Sequence, residues 1–160
     1  MDQLNIICVD DQPEVLNALE QDLSEFDEKL NVEVCDSGKE AVDLIDEIDS
    51  KGDFVAVVIS DQVMPGMSGV ELLKEVENDI RLAQTKKVLL TGQATHQDTI
   101  EAINLGGIDN YIAKPWDKQN LINVIKTLLT EFVMKKGINY SDFQELLDQK
   151  LLYEILRKGT

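Results

Sequence analysis

Basic side chains are scarce in this sequence. It carries 15 Lys and Arg and a single histidine against 31 Asp and Glu, a formal net charge of −16 at pH 7. Phosphate backbones and anionic lipids are bound by Lys and Arg, so this balance argues against direct contact with nucleic acid or a membrane surface. The deficit is uneven. Residues 135–160 hold five basic and four acidic side chains, which leaves 10 basic and 27 acidic, a balance of −17, for the rest. Most of that charge reads as solvated helix surface, but a cluster of carboxylates can also hold a hard cation. Only 2 Cys accompany the one His, which argues against a disulfide framework or a zinc centre. Cys8 and Cys35 both fall in predicted strands and read as buried, reduced thiols. Aromatic residues are 5% of the chain, so the core is mostly aliphatic. No apolar run approaches the length of a membrane span. The start, MDQLNIICVDD, lacks the basic region and small-residue cleavage site of a secretion signal, so a cytoplasmic location without membrane insertion is expected.

What is present is a regular alternation. With 160 residues, 43% hydrophobic and 29% charged, the composition is that of one globular domain with a small appendage. An apolar run over Leu4–Val9 ends at Asp10-Asp11. From Pro13 the period changes to that of a helix, with Val15, Leu16, Leu19, Leu23 and Phe26 on one face; Pro suits a first helical turn. Residues 32–35 form a short second strand. A helix capped by Ser37 follows, with Ala41, Val42, Ile45 and Ile48 inward. Residues 54–60 make the third strand, and Ser68 caps a third helix bearing Val70, Leu73, Val76 and Ile80. Residues 87–90 are a fourth strand, 95–105 a fourth helix, 108–113 a fifth strand, and Lys118–Lys136 a long fifth helix. Gly137 stops it after a basic end that suits the helix dipole. Ser141 with Gln144 has the pattern of a capping box, and Phe143, Leu146, Leu147, Leu151, Ile155 and Leu156 make a stripe down a sixth helix. Five strand-then-helix units imply an α/β fold with a parallel sheet covered on both faces.

Ligands of open parallel sheets bind beyond the carboxyl ends of the strands. Here those ends carry Asp10-Asp11, Asp61, Thr91 and Lys114-Pro115. Three crowded carboxylates repel one another unless a cation sits among them. Oxygen-only ligands and an open loop suit Mg²⁺. A lysine adds a compact charge with three donors, and a threonine adds a neutral donor. Together they make a receptacle for a phosphoryl group, and an aspartate can be the nucleophile that receives it.

These residues carry a resemblance. Asp10-Asp11, SDQVMPGMSG around Asp61, LLTGQA around Thr91 and YIAKPW around Lys114 resemble the receiver domain of two-component response regulators, over about residues 5–132. Each motif alone is weak; all four in order, each at a strand end, are specific. The resemblance implies a doubly wound, flavodoxin-like sheet of strand order 2-1-3-4-5, with a receiver over residues 1–133 and a C-terminal helical extension over 134–160. It implies that Asp61 accepts a phosphoryl group from a histidine kinase or phosphotransfer protein. Mg²⁺ would be held by Asp11, Asp61 and the Val63 carbonyl, with Asp10 acting through water. Lys114 would pair with phosphoryl oxygens, and the Lys114-Pro115 bond would be cis. Thr91 and Tyr111 would move together, reshaping the face of helix four, strand five and helix five for an effector protein, an output domain or a second copy. Val63 and Gln93 lie where the family tunes phosphoryl lifetime, and slow autodephosphorylation rather than turnover on an external substrate is implied. Trp116 stands where phenylalanine is frequent in the family and reads as a packing choice.

Plainer readings stand beside these. Asp61 and Lys114 taken singly are solvated loop residues, Thr91 a strand-end hydroxyl and Tyr111 core packing. Gly66 and Gly69 read as turn geometry, His96 as a surface or capping residue, Met64 and Met67 as loop packing. The sixth helix packs on its own domain, dimerises or binds a partner, or begins a linker. A folded but unphosphorylated pseudo-receiver is one alternative. A phosphohydrolase of the haloacid dehalogenase type is another, although its nucleophile would follow the first strand in an Asp-x-Asp pattern. The chain is expected to be either a stand-alone receiver or part of a larger signalling protein.

Overall fold

A computed structural model of the chain describes residues 3–92 and 107–159. The expected fourth helix, with Gln93 and His96, lies outside the described residues. β1 (Leu4–Val9) is buried along its whole length, which an apolar run without alternation requires. It is followed by α1 (Pro13–Asp22), β2 (Asn31–Cys35), α2 (Gly38–Ser50), β3 (Phe54–Asp61) and α3 (Gly69–Asn78). β4 (Lys86–Thr91), β5 (Asn110–Ala113), α4 (Lys118–Lys136) and α5 (Gln149–Lys158) complete the described elements. The five strands form one sheet in the order β2-β1-β3-β4-β5, every pair parallel. One apolar cluster joins one face of the sheet to α1, α4 and the tail; the other joins the opposite face to α2 and α3.

Register is what positions the site. Val9 pairs with Cys35 and with Ser60, Asp61 with Leu90, and Thr91 with Ala113, so the carboxyl ends of the strands form one edge. A bulge in β3 helps set it. Asn5 pairs with Val55 but Ile6 with Val57, so Ala56 is passed over and Ser60 rather than Ile59 comes opposite Val9.

Three helix boundaries differ from the sequence reading: α3 stops at Asn78, and Ile80, expected on its apolar face, instead begins a 3₁₀ turn and is exposed. The first helix stops at Asp22, and its apolar stripe continues through a 3₁₀ turn over Ser24–Glu28 that buries Phe26. Its last turn has no basic residue, and acidic side chains at a helix carboxyl end oppose the dipole. The sixth predicted helix also begins later. The Ser141–Gln144 capping box does not form, because the Ser141 N–H and hydroxyl both donate to Asn139 Oδ1, at 3.1 and 2.7 Å. Two 3₁₀ turns follow, and Asp148 caps α5 by accepting the Leu151 N–H at 3.1 Å.

The tail packs on its own domain. Phe143, Leu146, Leu147 and Leu152 are buried in the same cluster as α1 and α4. Asp148 ties it down: Thr127 Oγ1 donates to Asp148 Oδ2 at 2.9 Å, and the Asp148 N–H donates to Thr130 Oγ1 at 2.8 Å. Tyr153 and Leu156 face outward.

Candidate functional site

Asp10 follows β1 directly and is completely buried. Its N–H donates to the Cys35 carbonyl at 3.1 Å, continuing the ladder one step past the strand. One carboxylate oxygen accepts the Gln12 N–H at 2.9 Å; the other accepts Lys114 Nζ at 2.8 Å. Asp11, next in the chain, is exposed to solvent. Asp61 is the last residue of β3 and only 6% exposed. Lys114 follows β5 by one residue and precedes Pro115 through a cis peptide bond. Its amine lies 3.2 Å from Asp61 Oδ1, so one ammonium serves two buried carboxylates. Residues 104 positions apart in the chain therefore meet at this edge.

One carboxylate oxygen from each of Asp10, Asp11 and Asp61 lies within 4.8 Å of the other two. Burial pushes the Asp61 carboxyl above its ordinary range, and the Asp10 charge adds to the push. The Lys114 ammonium and the Gln62 N–H work against it without cancelling it. Burial alone would lower the Lys114 pKa, but the hydrogen bond to Asp10 and the charges of both carboxylates raise it. Three carboxylates against one ammonium leave an excess negative charge at a partly buried edge. An all-oxygen set with one open side fits a hard divalent cation, and no sulfur or imidazole favours a softer one.

The remaining expected residues fall around this cluster. Thr91 ends β4 beside Ala113, on the same edge. Tyr111 pairs with Leu89 and packs, half-buried, against the α2–α3 cluster. Val63 lies in the loop after Asp61, 62% exposed. Met64 is buried and Met67 packs beside it, as loop packing requires. Both cysteines are free and buried, as core residues, and their thiols are pushed upward, Cys8 by burial and then Cys35, and Cys35 to about 12 by burial and then Glu40.

The sequence matches the family described as the response regulator receiver domain over residues 6–126. The chain belongs to that family. Among relatives, the hydrogenase transcriptional regulatory protein HoxA of Cupriavidus necator is 34% identical over 124 residues, 78% of this chain and 24% of that protein. The transcriptional regulatory protein CpxR of Escherichia coli K12 is 32% identical over 124 residues, 78% of this chain and 48% of that protein. The chain thus spans about a quarter and about half of their lengths. The solved signal receiver domain of an HD domain-containing protein from Pseudomonas fluorescens Pf-5 superposes with a TM-score of 0.74 at 28% identity, covering 86% of this chain and 94% of that one. A CheY-like receiver domain protein from Methanospirillum hungatei JF-1 gives 0.70 at 28% identity, covering 84% and 99%.

Two residues of this receiver that support the site were not singled out for that role by sequence reading. Gln62 holds the loop after Asp61 to α3: its carbonyl accepts the Gly69 N–H at 3.0 Å and its side chain accepts the Val70 N–H at 2.8 Å. Gly66 and Gly69 both read as turn geometry, but of the two Gly66 alone has the positive φ, 83°, of a turn glycine. Gly69 is needed for a close approach instead: a Cβ there would run into the Asp61 carbonyl oxygen and come within 2.9 Å of its carbon. The capping box of Ser68 with Glu71, at 3.1 Å in each direction, completes the start of α3.

Proposed function

We propose that this receiver accepts a phosphoryl group on Asp61 and signals by protein contact. The observation that carries the reading is the Lys114 ammonium held between Asp10, at 2.8 Å, and Asp61, at 3.2 Å, beside Asp11 on the open side. Asp10, Asp11 and Asp61, with the Val63 carbonyl, would hold Mg²⁺. When bound, the ion supplies charge neutralisation at the phosphoryl oxygens and a template for in-line displacement.

The chain's own residues do the rest. An ionised Asp61 oxygen attacks phosphorus; the O–P bond forms as the bond to the donor nitrogen of a phosphohistidine breaks, and that nitrogen keeps the electron pair. Lys114 Nζ then donates to the transferred group, and the hydroxyl of Thr91, at the end of β4, would add a neutral donor. Gln62 and Gly69 keep the attacking carboxylate fixed to the start of α3. Thr91 and Tyr111 carry the change outward along β4 and β5. The donor is a sensor histidine kinase or a phosphotransfer protein, and the reader is an effector protein, an output domain or a second copy. Water attack on phosphorus later breaks the Asp61 O–P bond, releasing inorganic phosphate and restoring the carboxylate, so the group passes to water and not to an external substrate. Among the described residues no helix is long and apolar enough to cross a membrane, and the reading places the receiver in the cytoplasm with its donor.

The test is incubation with Mg²⁺ and acetyl phosphate followed by intact mass, beside Asp61→Asn. A single phosphoryl adduct that needs Mg²⁺ and is absent from the variant is expected. A folded wild type that stays unmodified with acetyl phosphate, phosphoramidate and histidine kinases refutes the proposal.

A further inference from the structure

The turn between β5 and α4 is tethered at three points. Lys114 reaches Asp10 and Asp61, and Asp117 caps α4 by accepting the Asn120 N–H at 2.9 Å. Between them Trp116, the only tryptophan of the chain, donates its indole N–H to Asp22 Oδ2 at 2.8 Å. The contact spans 94 positions and joins this turn to the last residue of α1. The indole body packs, partly buried, against the α1–α4 side of the core. An indole N–H can only donate, so a partly buried one needs an acceptor. Asp22 is an unexpected acceptor on local grounds. A carboxylate at a helix carboxyl end is disfavoured by the dipole, and the last turn of α1 has no cation to offset it.

We propose that Asp22 and Trp116 are a positioning pair for Lys114. This rests on the phosphorylation reading above and extends it to residues outside the site. At rest the Lys114 ammonium is held by Asp10 and Asp61, so the carboxylates themselves aim it. During transfer it must instead meet the phosphoryl oxygens, and its reach is then set by the backbone of the turn. The Trp116–Asp22 bond fixes that backbone to α1, the helix that follows Asp10 and Asp11. The pair touches neither phosphoryl group nor metal; it acts through Lys114. It also gives the tryptophan at this position a polar function that phenylalanine cannot supply.

The predicted signature is a split between rate and metal binding. Trp116→Phe keeps the packing and removes the donor; Asp22→Ala removes the acceptor; Asp22→Asn keeps an acceptor oxygen. The rate of adduct formation with Mg²⁺ and acetyl phosphate is read by intact mass, and Mg²⁺ affinity by titration calorimetry. Trp116→Phe and Asp22→Ala should each slow the adduct about tenfold, since small misplacements of a charge-stabilising group are costly. The double variant should be no slower than the slower single one, and Asp22→Asn should restore most of the rate. Mg²⁺ affinity should not weaken, because a less constrained ammonium competes no better for the carboxylates. Wild-type rates in both single variants overturn the proposal, as does a parallel loss of Mg²⁺ affinity, the mark of general loosening. An unmodified wild type overturns this proposal and the phosphorylation reading together; a modified wild type with unaffected variants overturns this one alone.

Discussion

Replacing Lys114 by methionine keeps the length and apolar stem of the side chain and deletes the one cation shared by Asp10 and Asp61. At 2.8 and 3.2 Å the two contacts are worth about 6 and about 5 kcal/mol of gross attraction at an effective dielectric constant of about 20. On the same scale the two carboxylates, each with one oxygen within 4.8 Å of an oxygen of the other, repel by about 3 kcal/mol once the ammonium is gone. Desolvation cancels much of the gross attraction in the wild type. Removing one partner from a buried pair costs about 3–5 kcal/mol, and the lower end applies because the lysine side chain is 18% exposed. For a domain of this size about 3 kcal/mol lowers Tm by about 6–12 °C. The assay is thermal unfolding followed by circular dichroism in EDTA. The pH dependence has a definite sign. Asp61 already titrates above its ordinary value, and loss of Lys114 drives it higher, so the deficit of the variant should grow as pH rises through that raised value and shrink as pH falls through it. Mg²⁺ should restore part of the loss by taking the place of the ammonium. A Tm equal to the wild type in EDTA at neutral pH, or a deficit that does not change between acid and neutral pH, would refute the electrostatic account.

Asp61→Asn should unfold at a higher temperature than the wild type in EDTA at pH 7. The folded state holds the Asp61 proton more tightly than the unfolded chain, so wild-type stability falls as pH rises from the ordinary carboxylate range through the raised value. The same variant should lose the rise in Tm that Mg²⁺ gives the wild type. Gly69→Ala should cost about 1–3 kcal/mol by chemical denaturation and slow phosphorylation, because its Cβ meets backbone of Asp61 that cannot rotate away. Asp148→Ala removes the cap of α5 and the Thr127 bond, for about 1–2 kcal/mol. Hydrogen exchange should show faster opening of α5 amides in that variant, while adduct formation at Asp61 stays unchanged.

The parts legible in the sequence were those written locally. A continuous apolar run made Leu4–Val9 a strand, and helical spacing with a glycine stop set both ends of Lys118–Lys136. The meeting of Lys114 with Asp10 was legible through topology, since parallel strands send their carboxyl ends to one edge. Several of the failures depend on a partner outside the local pattern. Asp148 starts the last helix because Thr127 and Thr130 on α4 hold it, whereas the local pattern at Ser141 and Gln144 pointed seven residues too early. Gly69 is constrained by the Asp61 carbonyl and not by its own φ, and the link between Asp22 and Trp116 leaves no periodicity to find.

The acidic edge is also where the fold is least complete by itself. Among the described residues no buried side-chain nitrogen or oxygen lacks a hydrogen-bond partner. The buried Lys87, for example, is matched by Glu77 at 2.7 Å and the Thr85 carbonyl at 3.2 Å. At Asp10, Asp11 and Asp61 the count of charges does not close, with one ammonium for three carboxylates, two of them buried. A sequence under selection for stability alone would place a neutral residue at one of these positions, because burial raises the cost of every unpaired charge. The excess matches a divalent cation in sign and magnitude. Its location at the carboxyl ends of β1 and β3, with Gln62 and Gly69 holding the loop beyond, makes charge neutralisation at this edge and the geometry of α3 a single problem. A change in the charge at Asp61 therefore acts on the same contacts that hold the loop in place.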